Sequence, residues 1–469
     1  MSDLLYLFER FPTFTQTFCV REILQLQRLG LRPRLISIRD TRDEAIRHFP
    51  RELVDQVTYL PQGDALPEAV DQLKREGRLS KAALLTLRQW QGRADKRRVH
   101  EAIWIGAQLW HPAPSASNDG NDPPPTGPPP LHVHTHFAGI AARTCWWLRR
   151  LYGIGYSFTG HANDLFSREP VASPVQLPQL MHDASLVVTV SDFSAGLLRE
   201  RFPTAAGKVV RVYNGMDIEP FAAAARPPDQ RQPGLIVGIG RLIEKKGYDD
   251  LIRACALLHG KGLDLQCEII GDGPLEADLR QQIDGAGLQK VVHLIGPRSQ
   301  EQIRHTLGAR ASIFALPCVV EKDGGMDNLP TVIMEAMAAA LPCVSTRLAG
   351  VPEMVIHERT GLLSQPRQPE DFARLLQRLL ENPDAARAMG AAGQRHAREQ
   401  FAQEVTAGQL LNLFRRRATL RWRADLWRSP QQWSALPAQL LRRTSAAVRQ
   451  RPPKVRDKSF DLDRFMFGR

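Results

Sequence analysis

Three observations predict an α/β protein of two doubly wound, Rossmann-like units that face a central cleft. Short apolar runs alternate with longer amphipathic ones along nearly the whole chain, the pattern of parallel sheets covered by helices. The alternation restarts after a Pro- and Gln-rich link at 226–233. A chain of 469 residues also exceeds what one ordinary core accommodates. The expected division is a first unit over 1–225 and a second over 232–395. An amphipathic helix over 396–414 then packs back across both, and a basic tail occupies 415–469.

In the first unit, Leu4–Phe8 reads as a strand, Thr15–Leu29 as its helix closing at Gly30, and Arg34–Ile38 as the next strand. The stretch 80–110 reads as helical, and 111–130, with its PPPTGPPP run, as an exposed loop. Further strands are expected at Leu131–His136, Ile154–Thr159, Leu186–Val190 and Val209–Val212. In the second unit the strands are Leu235–Ile239, Leu265–Ile270, Val291–Ile295, Ile313–Leu316 and Pro342–Ser345. Its helices are Tyr248–His259, Leu275–Gly285 and Thr331–Ala340. Ligands of such sheets bind at the carboxyl ends of strands where strand order reverses, so the cleft between the units is the expected active site.

Composition narrows the class. Hydrophobic residues make up 43% and charged residues 24%, a soluble globular balance. The N-terminus lacks the basic run of a secretory signal, and no apolar stretch approaches the roughly 18 residues that span a bilayer. Six scattered cysteines fit reduced thiols better than a disulfide framework, so a cytoplasmic location is expected. The net charge of +12 is uneven: 415–469 holds 15 Lys/Arg against 4 Asp/Glu, which leaves the first 414 residues near neutral. A near-neutral body argues against nucleic-acid binding by the folded units.

The segment Glu321–Ala340 is the most informative for chemistry. A Gly324–Gly325 loop leads through Asp327, Asn328 and Leu329 to Pro330, which suits the first turn of a helix beginning at Thr331. Bare backbone amides and a positive dipole end at such a start form an anion site for a diphosphate. Asp327 and Glu335 stand eight residues apart and suit hydroxyl groups, one set on a sugar and one on a ribose. The plainer reading is an acidic loop and a helix-surface Glu. Gly240–Arg241 and Lys245–Lys246–Gly247 follow the first strand of the second unit, where Arg241 and Lys246 are placed to neutralise a diphosphate. In the first unit, His161 ends a strand and faces the same cleft. His132, His134 and His136 alternate and share one strand face. A metal site there is set aside because no nearby carboxylate or cysteine completes a shell, and a core histidine is the plainer reading.

Together these motifs resemble the large glycosyltransferase family 4, of GT-B fold, which includes sucrose and mannosyl transferases. The resemblance spans about 1–415 and is strongest in Gly238–Lys246 (GIGRLIEKK), Gly271–Pro274 (GDGP) and Asp327–Ala338 (DNLPTVIMEAMA). FPTFTQTF, THFAG, FTGHANDLF, VSDFS and YNGMD resemble the branch that makes colanic-acid-type exopolysaccharides. The resemblance implies a retaining hexosyltransferase that uses a nucleotide-diphosphate sugar, with no cofactor and no metal. Arg241 and Lys246 would hold the diphosphate, Glu335 the ribose, and Asp327 with the amides of Asn328 and Leu329 the donor sugar. Gly240, Gly273, Pro330 and Thr331 complete the implied donor set, and His161 would lie near the sugar and its developing positive charge. Two positions depart from the family pattern: Asp327 and Gln16 each stand where Glu is usual. The first leaves the donor sugar open, the second the acceptor contacts.

The tail carries Trp422, Trp427 and Trp433 among arginines, a composition suited to an anionic membrane surface beside a lipid-linked or glycan acceptor. A solvated tail is the alternative. The rival activities are a nucleotide-sugar epimerase and a non-catalytic nucleotide-sugar-binding protein.

Overall fold

The computed structural model describes residues 4–13, 16–90, 95–109, 132–166 and 175–424. Two parallel sheets organise it. The first has strands β1 (Leu4–Arg10), β2 (Arg34–Arg39), β3 (Val57–Tyr59), β4 (His132–His136), β5 (Tyr156–Gly160), β6 (Leu186–Thr189) and β7 (Val209–Arg211) in the order β3-β2-β1-β4-β5-β6-β7. The second has β8 (Leu235–Ile239), β9 (Gln266–Ile270), β10 (Val292–Gly296), β11 (Ile313–Leu316), β12 (Cys343–Thr346) and β13 (Gly361–Ser364) in the order β10-β9-β8-β11-β12-β13. The two doubly wound units expected from the sequence are therefore present. Every residue of β5, β8 and β11 is buried, as a strand covered by helices on both faces requires.

Strand order reverses between β1 and β4 in the first sheet and between β8 and β11 in the second. At each reversal two neighbouring strands send their chains to opposite faces, which opens a crevice above their carboxyl ends. Lys246 follows β8 and Asp327 follows β11. Glu22 lies on the helix after β1, and His136 closes β4. All four therefore lie at a switch point.

Alternation along β1 sorts its side chains into two layers. Leu5 and Leu7 join the large core, whereas Leu4, Tyr6 and Phe8 join a second cluster with Val20 and Ile23 of the helix Thr17–Arg28. Ala407, Leu410, Leu411 and Phe414 complete that cluster from the helix Gln403–Ala424. The chain reaches this position from the second unit. The helix Pro383–Gln400 packs on Thr331–Ala338, and the chain then turns at Phe401. There Met216 N donates to Phe401 O at 2.9 Å and Gln403 N to Met216 O at 2.9 Å.

Several local expectations shift. The helical stretch 80–110 contains two helices, Lys81–Gln89 and Lys96–Leu109, with 91–94 outside the described residues. Strands β3 and β13 and the helix Ala65–Arg75 were not anticipated; runs of three or four strand residues are too short to show a period. The expected start of a separate helix at 396 falls inside Pro383–Gln400, an Ala-rich helix that carries its two glycines, Gly390 and Gly393, on its buried face. The Pro-rich run 111–130 and the tail from 425 onward, with Trp427 and Trp433, lie outside the described residues. Among the described residues no helix is long and apolar enough to cross a membrane, and all six cysteines are buried and unpaired.

Leu410 is 1% exposed in the cluster that joins the last helix to the first sheet. Leu410→Ala is expected to cost about 2–4 kcal/mol, read from the urea transition of the first unit, as a core Leu→Ala truncation does. A loss below about 0.5 kcal/mol would mean that this helix does not hold the sheet.

Candidate active site

The loops after β8 and β9 are pressed together backbone to backbone. Leu242 N donates to Asp272 O at 2.7 Å and Gly240 N to Ile270 O at 3.0 Å. A Cβ at Gly273 would lie 2.6 Å from Leu242 O, so only glycine permits this approach. Lys246 ends a short 3₁₀ turn, and Gly247, at φ 65°, swings the chain into the helix Tyr248–Gly260. A Cβ at Gly247 would meet Pro317 O, which locks the Lys246 loop against the chain leaving β11.

That contact brings the cation to its partner. Lys246 Nζ donates to Asp327 Oδ2 at 2.5 Å, and Lys245 Nζ lies 3.6 Å from Asp327 Oδ1. Burial works against the Lys246 ammonium, but the Asp327 carboxylate outweighs it and holds the amine above its ordinary value. Arg241 lies near enough to Lys246 to act on its charge, while its own side chain is exposed. The sequence assigned Lys246 to a diphosphate and Asp327 to a sugar; the structure pairs them with each other.

Beyond Asp327 the chain enters the helix Thr331–Ala338. Pro330 is its N-cap, with φ −67° and ψ 109°, and not a residue of its first turn; the extended conformation lets its carbonyl accept from Ile333 N at 3.0 Å. Among the described residues the amides of Asn328, Leu329, Thr331 and Val332 make no hydrogen bond. These are the donors expected to face an anion or a hydroxyl. One turn further on, Glu335 Oε2 is buried without a hydrogen-bond partner. Burial pushes the Glu335 carboxyl up to about 7, with the Arg21 guanidinium of the first unit pulling the other way. A buried, unpartnered carboxylate oxygen beside four bare amides disfavours the helix-surface reading, because such an atom costs about 1–3 kcal/mol unless a ligand meets it. The Tyr248 hydroxyl is likewise buried and unpaired behind Gly240, a feature that no sequence pattern signalled.

The same loop joins the two units. Asn328 is 3% exposed: its Oδ1 accepts from Ser191 Oγ at 2.7 Å and its Nδ2 donates to Ser194 Oγ at 2.8 Å. Glu353 of the second unit accepts from the amides of Asp192 and Phe193 at 2.7 and 2.9 Å. These are the first amides of the helix Asp192–Arg201, where a carboxylate also complements the helix dipole. The VSDFS stretch is thus where the second unit docks.

His161 lies in the first unit between Phe18 and Phe137, with ring centroids 4.9 and 4.5 Å away. No contact joins it to Arg241, Lys246, Asp327 or Glu335 among the described residues. The link is the helix Thr17–Arg28, which sets Phe18 on His161 and Arg21 toward Glu335. The reason for setting aside a metal near the histidines needs correction. Glu22 reaches His136 at 3.1 Å, and ligand atoms of Glu22, His134 and His136 lie within 4.8 Å of one another. Helix and strand are 114 residues apart in sequence, so the spacing concealed the carboxylate. Those atoms already have partners: His134 bonds Ser157 and Thr159 at 2.7 and 3.1 Å, and Glu22 accepts from the Tyr6 hydroxyl at 2.6 Å.

Comparison with known proteins identifies relatives of the chain. The model for "Glycosyl transferases group 1" matches residues 224–396, and that for "Glycosyltransferase Family 4" matches 129–220. The amylovoran biosynthesis glycosyltransferase AmsK of Erwinia amylovora is 31% identical over 288 residues, covering 61% of this chain and 70% of the relative. The chain belongs to glycosyltransferase family 4. A putative colanic acid biosynthesis glycosyltransferase, WcaL of Escherichia coli, is 33% identical over 46% of this chain and about half (52%) of its own length. Among solved structures, a Rickettsia africae glycosyltransferase superposes with a TM-score of 0.62 at 15% identity, covering 89% of this chain and 98% of that one. Anabaena HepE in complex with UDP gives 0.60 at 16%, covering 88% and 99%. At that identity the likeness speaks for the GT-B fold alone.

Because the Glu335 carboxyl is raised in the folded state, its favourable contribution is complete below the ordinary carboxyl range near 4.5. It is lost as pH rises through about 7. Glu335→Gln does not titrate, so its stability relative to wild type should grow between pH 5 and pH 8, by up to about 3 kcal/mol. Thermal melts across that range check this; parallel curves would show an ordinary carboxyl.

Proposed function

We propose that the chain is a retaining, metal-independent hexosyltransferase. It moves a sugar from a nucleotide diphosphate to a glycan or lipid-linked acceptor in the assembly of an exopolysaccharide. The observation that carries this reading is the Lys246–Asp327 pair beside the bare amides of Asn328–Val332, with the unpartnered Glu335 one turn away. The exopolysaccharides that the amylovoran and colanic acid relatives are named for support the polymer class, and the UDP complex of HepE supports a nucleotide donor.

In this reading the donor diphosphate takes the Lys246 ammonium from Asp327 and draws Arg241 in from solvent. Asp327, released, accepts from hydroxyls of the donor sugar alongside the Asn328 and Leu329 amides, and Glu335 accepts from the ribose. The bond from the anomeric carbon to the diphosphate oxygen breaks as positive charge grows on the ring. The acceptor hydroxyl attacks on the same face and gives its proton to the departing diphosphate. The protein's part is position and charge, and preorganised donors on the leaving group contribute most to the rate. A cytoplasmic enzyme held to an anionic membrane by the arginine- and tryptophan-rich segment beyond the last helix would meet a lipid-linked acceptor.

Lys246→Ala is expected to lower kcat about 10²–10³-fold, the size of losing one preorganised donor. Full turnover in that variant would remove the diphosphate role. Glu335→Gln should raise the donor KM, and the wild-type KM should fall as pH rises through about 7, where the carboxylate forms. A flat wild-type profile would leave Glu335 without a ribose contact. Turnover should also persist in a strong chelator; its loss and rescue by a divalent ion would overturn the metal-free scheme.

A further inference from the structure

The histidines of the first unit form a chain that the donor site does not use. His161 Nε2 and His136 Nδ1 are 3.1 Å apart, and His136 Nε2 is 3.1 Å from Glu22 Oε1. The Tyr6 hydroxyl donates to the same Glu22 oxygen at 2.6 Å. His136 is buried, so each of its ring nitrogens needs a partner. A carboxylate only accepts, which fixes a proton on His136 Nε2. The remaining question is which of the two imidazoles owns the proton between them.

Charge answers it. Burial alone would discharge His136, but Cys19 and the Glu22 carboxylate outweigh it and raise the ring well above its ordinary value. Cys19 is pushed up by its own burial, which leaves the Glu22 carboxylate, 3.1 Å from His136 Nε2, as the hydrogen-bonded anion beside the ring. His161 is driven the other way, by burial and then by the neighbouring His136. Other groups around the chain do not compete. His134 is held neutral by burial and bonded to hydroxyls, and Asp164 is engaged by the His161 amide at 2.8 Å.

We infer that Glu22 and His136 are positioning residues for the transfer: they hold His161 as a neutral imidazole whose single proton sits on Nδ1. His161 Nδ1 has no hydrogen-bond partner among the described residues, so this proton is the one offered to a substrate. The consequence follows from the transfer chemistry. A neutral ring can donate to a sugar hydroxyl without setting a full positive charge beside the cationic ring that develops. An imidazolium at the same place would oppose it. The arrangement resembles other sites in which a partner of the histidine selects its tautomer and does not itself react.

This inference rests on the proposed placement of His161 beside the donor sugar, and its test separates the two. Glu22→Gln keeps the shape but removes the charge. In the full-length enzyme it should lower kcat about 10- to 100-fold, the size of losing an orienting partner, with donor KM nearly unchanged. Nitrogen-15 spectra of the imidazoles should show the His161 proton on Nδ1 in wild type and shifted toward Nε2 in Glu22→Gln. Melting curves of the two proteins identify any loss due to unfolding, and Glu22→Asp should recover part of the rate. If His161→Ala lowers turnover while Glu22→Gln alters neither rate nor tautomer, the relay is wrong and the placement stands. If His161→Ala is fully active, the placement itself fails, and the spectra still report whether the relay exists. Movement of these resonances on adding Zn²⁺, reversed by chelator together with the activity, would replace the relay with a metal site.

Discussion

The attraction between Lys246 and Asp327 is the constraint on which the rest of the site depends. Both side chains are about one-seventh exposed, so neither keeps its full hydration, and each needs the other while they share the crevice. Removing one partner leaves an uncompensated, largely desolvated charge. The pair therefore fixes the loop after β8 against the loop after β11, and with it the run of amides that continues into the helix from Thr331. A site held this way is in order before any substrate arrives, and exchanging one anion for another at Lys246 requires little rearrangement.

Arrangement at the switch points explains why the two units work as one. In each sheet the reversal sends neighbouring chains apart and leaves strand ends open, and each opening is filled by a pair drawn from both sides of the reversal. In the second sheet the pair is Lys246 with Asp327. In the first it is Glu22 with His136. Asn328 and Glu353 then tie the second unit to the Ser191–Phe193 corner of the first, so the loop that presents the amides also touches the other unit. The helix Thr17–Arg28 spans the same boundary, with Phe18 on His161, Glu22 in the histidine chain and Arg21 acting on Glu335.

Two of the unpartnered buried polar atoms lie at the candidate site. Glu335 Oε2 and the Tyr248 hydroxyl are buried without hydrogen bonds in the second unit. Seven more lie elsewhere among the described residues, Tyr59 Oη and Asp250 Oδ2 among them. Holding Glu335 protonated near neutrality is a cost in stability, and such costs persist where a ligand relieves them.

What the sequence determined by itself is the architecture and the motifs on the loops after the strands of the second unit. Buried parallel strands leave continuous apolar runs such as Leu235–Ile239, amphipathic helices follow them at regular intervals, and glycines mark the loops where backbones touch. These signals are local, and so are Gly273, Asp327 and Glu335 within their motifs. Only the tertiary structure decided which side chains meet. The pairing of Lys246 with Asp327 joins residues 81 positions apart, that of Glu22 with His136 residues 114 apart, and that of Ser191 with Asn328 residues 137 apart. The carboxylate beside the histidines escaped the sequence because a contact between a helix and a distant strand depends on strand order. Strand order is set by how whole layers pack, and no periodicity within a segment records it.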